Sequence, residues 1–175
     1  MKRRILLPAV IALGSNLGDR EENLRAAVRD IDALADITVT AASAIVQSHA
    51  VKTTGTDAEA PTYLNAVMLV QCALLPEDLL QELNRIEADH GRVRVERWGD
   101  RTLDLDIIDF AGLLRETADL TLPHPLAAQR AFVIVPWLQV DPDAEIRGHG
   151  RIDSLTVAHS DEVWRFEAAP LWTQP

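Results

Sequence analysis

The most restrictive feature of this sequence is the alternation of polar and apolar residues from Thr102 to Phe110. Side chains two positions apart on a β-strand share a face, so this alternation predicts a strand with one polar and one apolar face. Asp104 and Asp106 both fall on the polar face, while leucine and isoleucine residues fill the other. The chain is therefore expected to contain a β-sheet in which one strand presents two carboxylates side by side.

Two carboxylates in this arrangement favour a bound divalent cation. At the separation of about 6–7 Å that a strand imposes, they repel each other by about 2.5 kcal/mol at an effective dielectric constant near 20. A cation reverses the sign of that energy, and Mg²⁺ commonly takes one or two carboxylates together with substrate phosphates. The competing interpretation of Asp104 and Asp106 is a solvated strand face that binds nothing.

The segment before this strand, from Gly91 to Arg101, concentrates positive charge. Its basic residues are Arg92, Arg94, Arg97 and Arg101, and they accompany Trp98 and two glycines. This composition predicts a loop, and guanidinium groups bind phosphate through two hydrogen bonds at once. The loop and the strand together indicate metal-assisted phosphate chemistry.

The segment from Arg97 to Ile107 closely resembles the signature of the 6-hydroxymethyl-7,8-dihydropterin pyrophosphokinase family of folate biosynthesis. The family usually has proline where this chain has Asp100. Other elements that resemble the family are Gly14-Ser15-Asn16, Tyr63-Leu64-Asn65, and Pro123-His124-Pro125 followed by Arg130 and Phe132. The resemblance covers residues 9 to 142. It implies transfer of the diphosphate of ATP to the hydroxymethyl group of 6-hydroxymethyl-7,8-dihydropterin, with release of AMP.

The resemblance also implies roles for individual residues. Asp104 and Asp106 would hold two Mg²⁺ ions, with ATP as co-substrate, and Arg92 and Arg101 would stabilise charge at the transferred group. The implied ATP-binding residues are Asn84, Glu87, Arg94, Arg97, Ile107, Thr121, His124 and Arg130. The implied pterin-binding residues are Ser48, Val51, Tyr63, Asn65, Trp98 and Phe132. The division of tasks among the four loop arginines stays open.

Length and composition set further bounds. The chain has 175 residues, of which 47% are hydrophobic, so we expect one domain over residues 1–175, with 143–175 as a C-terminal extension of it. The net charge of −10 argues against a nucleic-acid partner or an anionic membrane partner. The single cysteine, Cys72, lies in an apolar run, which excludes an internal disulfide and predicts a buried thiol.

The first residues superficially resemble a signal peptide, because basic residues precede an apolar run. Pro8 interrupts that run, however, and no clean small-x-small cleavage site follows it. We therefore expect a cytoplasmic monomer without a membrane-spanning segment.

Hydrophobic periodicity predicts an α+β chain. The predicted strands span 9–13, 37–46, 63–74 and 102–110, and a long loop spans 47–62. One helix starts at Asp19, with Glu22 completing a capping box, and a second runs from Pro76 to a stop at Gly91. Short strands near 113–114 and 120–122 should follow a tight turn at 111–112, and a last helix should run from 153 to 163.

This order of elements is typical of a ferredoxin-like fold, in which helices cover the faces of a mostly antiparallel sheet. The family resemblance implies the corresponding three-layer α-β-α sandwich. Trp164 and Trp172 are expected to serve packing rather than function.

Two alternatives belong to other functional classes. A non-catalytic module that senses ATP or pterin would account for Asp100, Asp119 and His49, which replace residues common in the family. A ferredoxin-like RNA-binding domain is disfavoured by the acidic charge and the few aromatic residues.

Overall fold

The computed structural model describes residues 5–52, 55–57, 61–91 and 102–174, and between 50 and 57 it describes only the backbone. The strands in these residues are β1 (Leu7–Ser15), β2 (Ile37–Ala42), β3 (Val46–Ser48), β4 (Ala50–Lys52), β5 (Gly55–Asp57), β6 (Tyr63–Cys72), β7 (Asp104–Phe110), β8 (Arg115–Glu116), β9 (Thr121–Leu122), β10 (Glu145–Ile146), β11 (Gly150–Arg151) and β12 (Val163–Arg165). The α-helices are α1 (Arg20–Asp32), α2 (Pro76–Asp89) and α3 (Ala131–Val140).

The main sheet has β1 near its centre. Its strand order is β12-β3-β6-β1-β7, with β2 also paired to β6, and every pair in it is antiparallel. In this register Gly14 lies opposite Asn65 on one side and opposite Asp104 on the other. The polar residues singled out in three separate parts of the sequence therefore form one row across the sheet.

Helices cover both faces of this sheet. On one face α1 and α2 pack against residues such as Ile11 and Leu105, and on the other α3 packs against Val10 and Ile108. The alternation of Val10 and Ile11 between the two cores shows how a fully buried strand serves both layers. The α-β-α layering and the antiparallel sheet agree with the predicted fold class.

The ends of the first two helices follow the sequence signals. The Asp19 carboxylate accepts a hydrogen bond of 3.1 Å from the backbone N–H of Glu22, a capping contact that typically stabilises a helix by about 1 kcal/mol. Pro76 opens α2, and Gly91 follows its end with φ +77°, a conformation that favours glycine. The predicted starts of both helices are confirmed.

The predicted strand over 37–46 is divided in two. Ser43 interrupts the regular ladder of backbone hydrogen bonds to β6. Its hydroxyl, rather than its carbonyl, accepts a hydrogen bond of 2.9 Å from the N–H of Val67, while its own N–H donates to the Val67 carbonyl. The chain therefore leaves the sheet after β2 and rejoins it as β3. The segment predicted as a loop over 47–62 contains the end of β3 and the paired strands β4 and β5.

The predicted last helix over 153–163 is wrong. Asp153 pairs with Arg151 at 2.6 Å and the Ser154 hydroxyl donates to the Arg151 carbonyl, so neither side chain caps an α-helix. Two short 3-10 helices, at Ile152–Ser154 and Thr156–His159, occupy the segment, and β12 follows them.

The helix that does cover the second face, α3, has no counterpart among the predicted elements. It is apolar on most sides and contains Pro136, so its sequence lacks the one-sided periodicity that marks a surface helix. No helix among the residues that the structure describes combines the length and apolar character needed to cross a bilayer.

Two packing predictions have mixed outcomes. Cys72 is buried, as expected, and burial raises the pKa of its thiol. Trp172 packs against the larger core, whereas Trp164 is 38% exposed and its ring lies 5.0 Å from that of His49.

Candidate active site

The site is built around Gly14, where three strands run side by side. A Cβ atom at this position would lie 3.3 Å from Oδ1 of Asn65, 3.8 Å from the Tyr63 ring and 3.9 Å from Cβ of Asp104. The glycine therefore allows Tyr63, Asn65 and Asp104 to lie close together above the central strand. Because the three side chains come from two different strands, the sheet fixes their relative positions.

The amide of Asn65 is held in one orientation. Its Nδ2 donates a hydrogen bond of 3.0 Å to Oγ of Ser48, and both residues are buried. Ser48 lies on β3, opposite Tyr63 on β6. With Nδ2 engaged, Oδ1 of Asn65 is the amide atom that faces Gly14.

Asp104 and Asp106 are half-buried and project to the same face of β7, as predicted. The intervening Leu105 and the following Ile107 are 3% exposed and pack in the core on the opposite face. In the described residues no three His, Cys, Asp or Glu side chains converge as a metal site. Two carboxylates without a third protein ligand suit Mg²⁺ whose remaining ligands are phosphate oxygens and water.

Two positively polarised side chains approach these carboxylates. Oδ2 of Asp106 lies 3.8 Å from a terminal guanidinium nitrogen of Arg130 and 3.9 Å from Nε2 of His124. Both separations exceed direct hydrogen-bond length, so these contacts are electrostatic rather than hydrogen bonds. The Arg130 guanidinium also lies 5.6 Å from the centre of the Phe132 ring.

The protonation of His124 is set by its surroundings. Its Nδ1 lies 3.1 Å from the backbone N of Leu126, whose N–H can only donate, so Nδ1 accepts and the proton of the neutral ring is on Nε2. Burial, followed by the positive charge of Arg130, lowers the pKa of His124 to about 4, against the opposing effect of Asp104. At neutral pH the ring therefore presents an Nε2–H donor near Asp106.

Comparison with known proteins identifies the family. The model of the family 7,8-dihydro-6-hydroxymethylpterin-pyrophosphokinase (HPPK) matches residues 10–142. The chain belongs to this family. Two relatives named 2-amino-4-hydroxy-6-hydroxymethyldihydropteridine pyrophosphokinase agree: that of Haemophilus influenzae is 38% identical over 89% of this chain and 95% of its own length, and that of Bacillus subtilis is 41% identical over 95% and 90%.

Solved structures support the HPPK fold. The wild-type HPPK-DHPS of Plasmodium falciparum with pterin and p-hydroxybenzoate aligns over 94% of this chain, with a TM-score of 0.69 and 12% identity. An HPPK-DHPS in complex with substrates aligns over 91% with a TM-score of 0.68. The chain spans 47% of the length of each of these two. These matches bear out the ferredoxin-like architecture.

The structure brings most of the described candidate residues of this HPPK chain into one region. The residues on or beside the row at Gly14 and the carboxylates of β7 are Ser48, Tyr63, Asn65, Asp104, Asp106, His124, Arg130 and Phe132. They come from distant parts of the chain, and this convergence is what the motifs alone did not establish.

The other described ATP-binding candidates lie outside this group of polar side chains. The side chain of Ile107 is buried on the opposite face of β7, which is the edge strand among the described residues. Glu87 is 2% exposed, and its carboxylate bonds the N–H of Leu105. Asn84 lies one turn earlier on α2, and Thr121 is exposed on β9.

Several predicted residues fall where nothing can be stated of their contacts. Arg92, Arg94, Arg97, Trp98 and Arg101 lie outside the described residues, as does Asp100. The side chain of Val51 is likewise not described. Their assignments stay predictions.

Sequence reasoning did not identify the polar contacts that support the site from the side of α1. Asn23 and Arg20 bond residues that lie one or two positions before site strands. The nearest sequence signal is the family-like element Gly14-Ser15-Asn16, which does not by itself indicate a partner on the helix.

Proposed function

We propose that this chain transfers the diphosphate of ATP to the hydroxymethyl group of 6-hydroxymethyl-7,8-dihydropterin and releases AMP, as a step of folate biosynthesis. Membership of the HPPK family supports the reaction class. The structural observation that carries the proposal is the approach of Arg130 and His124 to Asp106, on the strand face that also carries Asp104 beside Gly14.

The donor set fits magnesium. Asp104 and Asp106 offer hard oxygen ligands on one strand face, and the chemistry of ATP supplies the remaining oxygens. When bound, Mg²⁺ neutralises charge on the phosphates and so lets a nucleophile approach phosphorus.

Arg130 and His124 serve the phosphate side of the site. The Arg130 guanidinium, held beside Asp106, binds phosphate oxygens in a bidentate manner. The His124 ring, with its proton on Nε2, donates a hydrogen bond without adding a formal charge. Both groups are oriented before substrate arrives, which reduces the cost of positioning the reacting phosphates.

Asn65, Tyr63 and Phe132 serve the pterin side. A pterin is a flat heterocycle with hydrogen-bond donors and acceptors on its edge, which suits an amide next to aromatic rings. The bond from Asn65 to Ser48 leaves Oδ1 to accept from the pterin edge. The Tyr63 and Phe132 rings supply apolar contact.

The segment from 92 to 101 supplies the remaining side chains of the proposed reaction. Arg92 and Arg101 stabilise the charge that develops on the transferred group, while Arg94 and Arg97 bind phosphate and Trp98 covers the pterin to exclude water. Exclusion of water matters because hydrolysis competes with transfer.

The test is AMP release from ATP and Mg²⁺ with and without 6-hydroxymethyl-7,8-dihydropterin. Pterin-dependent AMP is the expected result. ADP would contradict diphosphoryl transfer, and bound ATP without any nucleotide product would favour the sensing module instead.

A further inference from the structure

The first turn of α1 contacts the chain directly before the carboxylate strand. The Asn23 Nδ2 group donates to the carbonyl of Thr102 and to that of Leu17, each at 3.0 Å, and lies 3.2 Å from Oγ of Ser15. The buried Ser15 hydroxyl itself donates to the Thr102 carbonyl at 2.6 Å. Thr102 lies two residues before Asp104, so these bonds fix the chain where it enters β7.

The same turn contacts the chain directly before the pterin-side strand. One guanidinium nitrogen of Arg20 donates to the carbonyl of Thr62 at 2.7 Å and to its Oγ1 at 2.8 Å. The Gln47 amide, from β3, donates to the same Oγ1. Thr62 immediately precedes Tyr63, so these bonds fix the chain where it enters β6.

The arrangement follows from the topology. Positions three apart on a helix lie on one face, so Arg20 and Asn23 point to the same side of α1. Since β1 leads into α1 and lies between β6 and β7, one turn of helix can reach the neighbours on both sides. The two contacts join residues 42 and 79 positions apart in the sequence.

These bonds are not needed to start the helix. Asp19 already caps α1 through Glu22. Arg20 and Asn23 each donate to a backbone carbonyl of a distant part of the chain, besides the contacts of Asn23 with Leu17 and Ser15. A contact that holds the backbone at the entrance of a strand controls where the next side chains lie, and misplacement by about 1 Å can slow an enzyme about a hundredfold.

We propose that Arg20 and Asn23 are positioning residues for separate halves of the site. Arg20 sets the position of Tyr63 and Asn65 for the pterin, and Asn23 sets the position of Asp104 and Asp106 for the metal and ATP. The inference rests on the proposed function, and it assigns α1 a task in aligning the two substrates.

The test compares Arg20→Met and Asn23→Ala with matched controls. Arg29→Met removes an exposed arginine of the same helix, and Gln139→Ala removes an amide that bonds the backbone of Ala44 outside the site. Pterin affinity is measured by calorimetry with Mg²⁺ and a non-hydrolysable ATP analogue, and metal affinity by Mn²⁺ titration with electron paramagnetic resonance. Steady-state KM and kcat are measured alongside both affinities.

Arg20→Met should weaken pterin binding by about tenfold and leave Mn²⁺ affinity within about twofold, since it touches only one strand entrance. Asn23→Ala should weaken Mn²⁺ binding and raise the Mg²⁺ concentration that activity requires, each by about tenfold. It should leave pterin affinity within about twofold. Both controls should match the wild type. Equal losses in both affinities for each variant, or changes confined to thermal stability, would overturn the separate roles.

Failure of the proposed function would be recognised separately, because the wild-type chain would then form no pterin-dependent AMP. In that event amide hydrogen exchange decides the structural part of the inference. The positioning contacts are supported if the amide hydrogens of β7 exchange faster in Asn23→Ala. The same holds if those of the first residues of β6 exchange faster in Arg20→Met. Exchange rates equal to those of the wild type in both strands overturn the proposed positioning contacts.

Discussion

The carboxylate of Glu87 accepts a hydrogen bond of 2.7 Å from the backbone N–H of Leu105, which joins the buried face of α2 to β7. Glu87 is 2% exposed, so the bond is shielded from water. Glu87, which is predicted to bind ATP, therefore also has a structural partner in Leu105, between the two carboxylates of β7.

Replacement of Glu87 should therefore lower stability even without nucleotide. Glu87→Ala leaves the Leu105 N–H buried without its acceptor, and we expect a loss of about 1–3 kcal/mol in the free energy of unfolding, measured by urea denaturation. Glu87→Gln retains an acceptor oxygen and should lose less. Glu82→Ala, which removes a surface partner of Arg85, should change stability by less than about 0.5 kcal/mol. Equal effects at positions 82 and 87 would contradict this account.

Gly14→Ala should impair the pterin side of the site. The added Cβ would lie 3.3 Å from Oδ1 of Asn65, so the amide has to shift by a few tenths of an ångström from its position on Ser48. We expect KM for the pterin to rise about tenfold while KM for ATP changes little. Gly112→Ala serves as the control, because Gly112 has φ +64° and no neighbour within 4 Å of its Cβ position. It should lower stability through backbone strain without changing either KM.

His124 should make folding stability depend on pH between about 6.5 and 4. Burial lowers the folded-state pKa from 6.5 to about 4, so within this window the unfolded chain binds more protons and stability falls as the pH falls. The shift corresponds to at most about 3 kcal/mol. His124→Asn keeps an acceptor for the Leu126 N–H but does not titrate, so its stability should decline less between pH 7 and pH 4. Identical pH profiles for the two proteins, by urea denaturation, would refute the assignment.

Asp104→Asn should remove metal-dependent behaviour while the fold persists, since the substitution is nearly isosteric at a half-exposed position. We expect turnover to fall by at least about a hundredfold. The rise in melting temperature that Mg²⁺ and an ATP analogue give the wild type should also be largely lost. The exposed Asp161, outside the site, provides the control as Asp161→Asn. An active, Mg²⁺-dependent Asp104→Asn enzyme would exclude the metal role.

Local pattern was sufficient for the elements that carry the chemistry. The alternation around Asp104 and Asp106 predicted which side chains lie on the polar face of β7, because a strand's period of two leaves no other choice once one face is buried. The start of α1 at Asp19 followed from capping chemistry that involves only neighbouring residues. These are signals that need no knowledge of the rest of the fold.

Features that depend on distant contacts were not predictable in the same way. Helix α3 is buried around Pro136 and lacks one-sided periodicity, and β12 exists as a strand because it pairs with β3. The contact of Asn23 with Thr102 is not predictable from the sequence around Asn23, because a single asparagine does not indicate its partner. The partner becomes evident only when the sheet brings Thr102 beside it.

The pairing of β12 with β3 has a consequence for the edge of the main sheet. Val163 lies opposite Ser48, so the contact joins positions 115 residues apart in the chain. A strand edge without a partner exposes its backbone N–H and C=O groups and can pair with another chain. Without β12, β3 would present such an edge at Ser48, whose hydroxyl accepts from the Asn65 amide. β12 therefore protects the strand next to the site from edge-to-edge association.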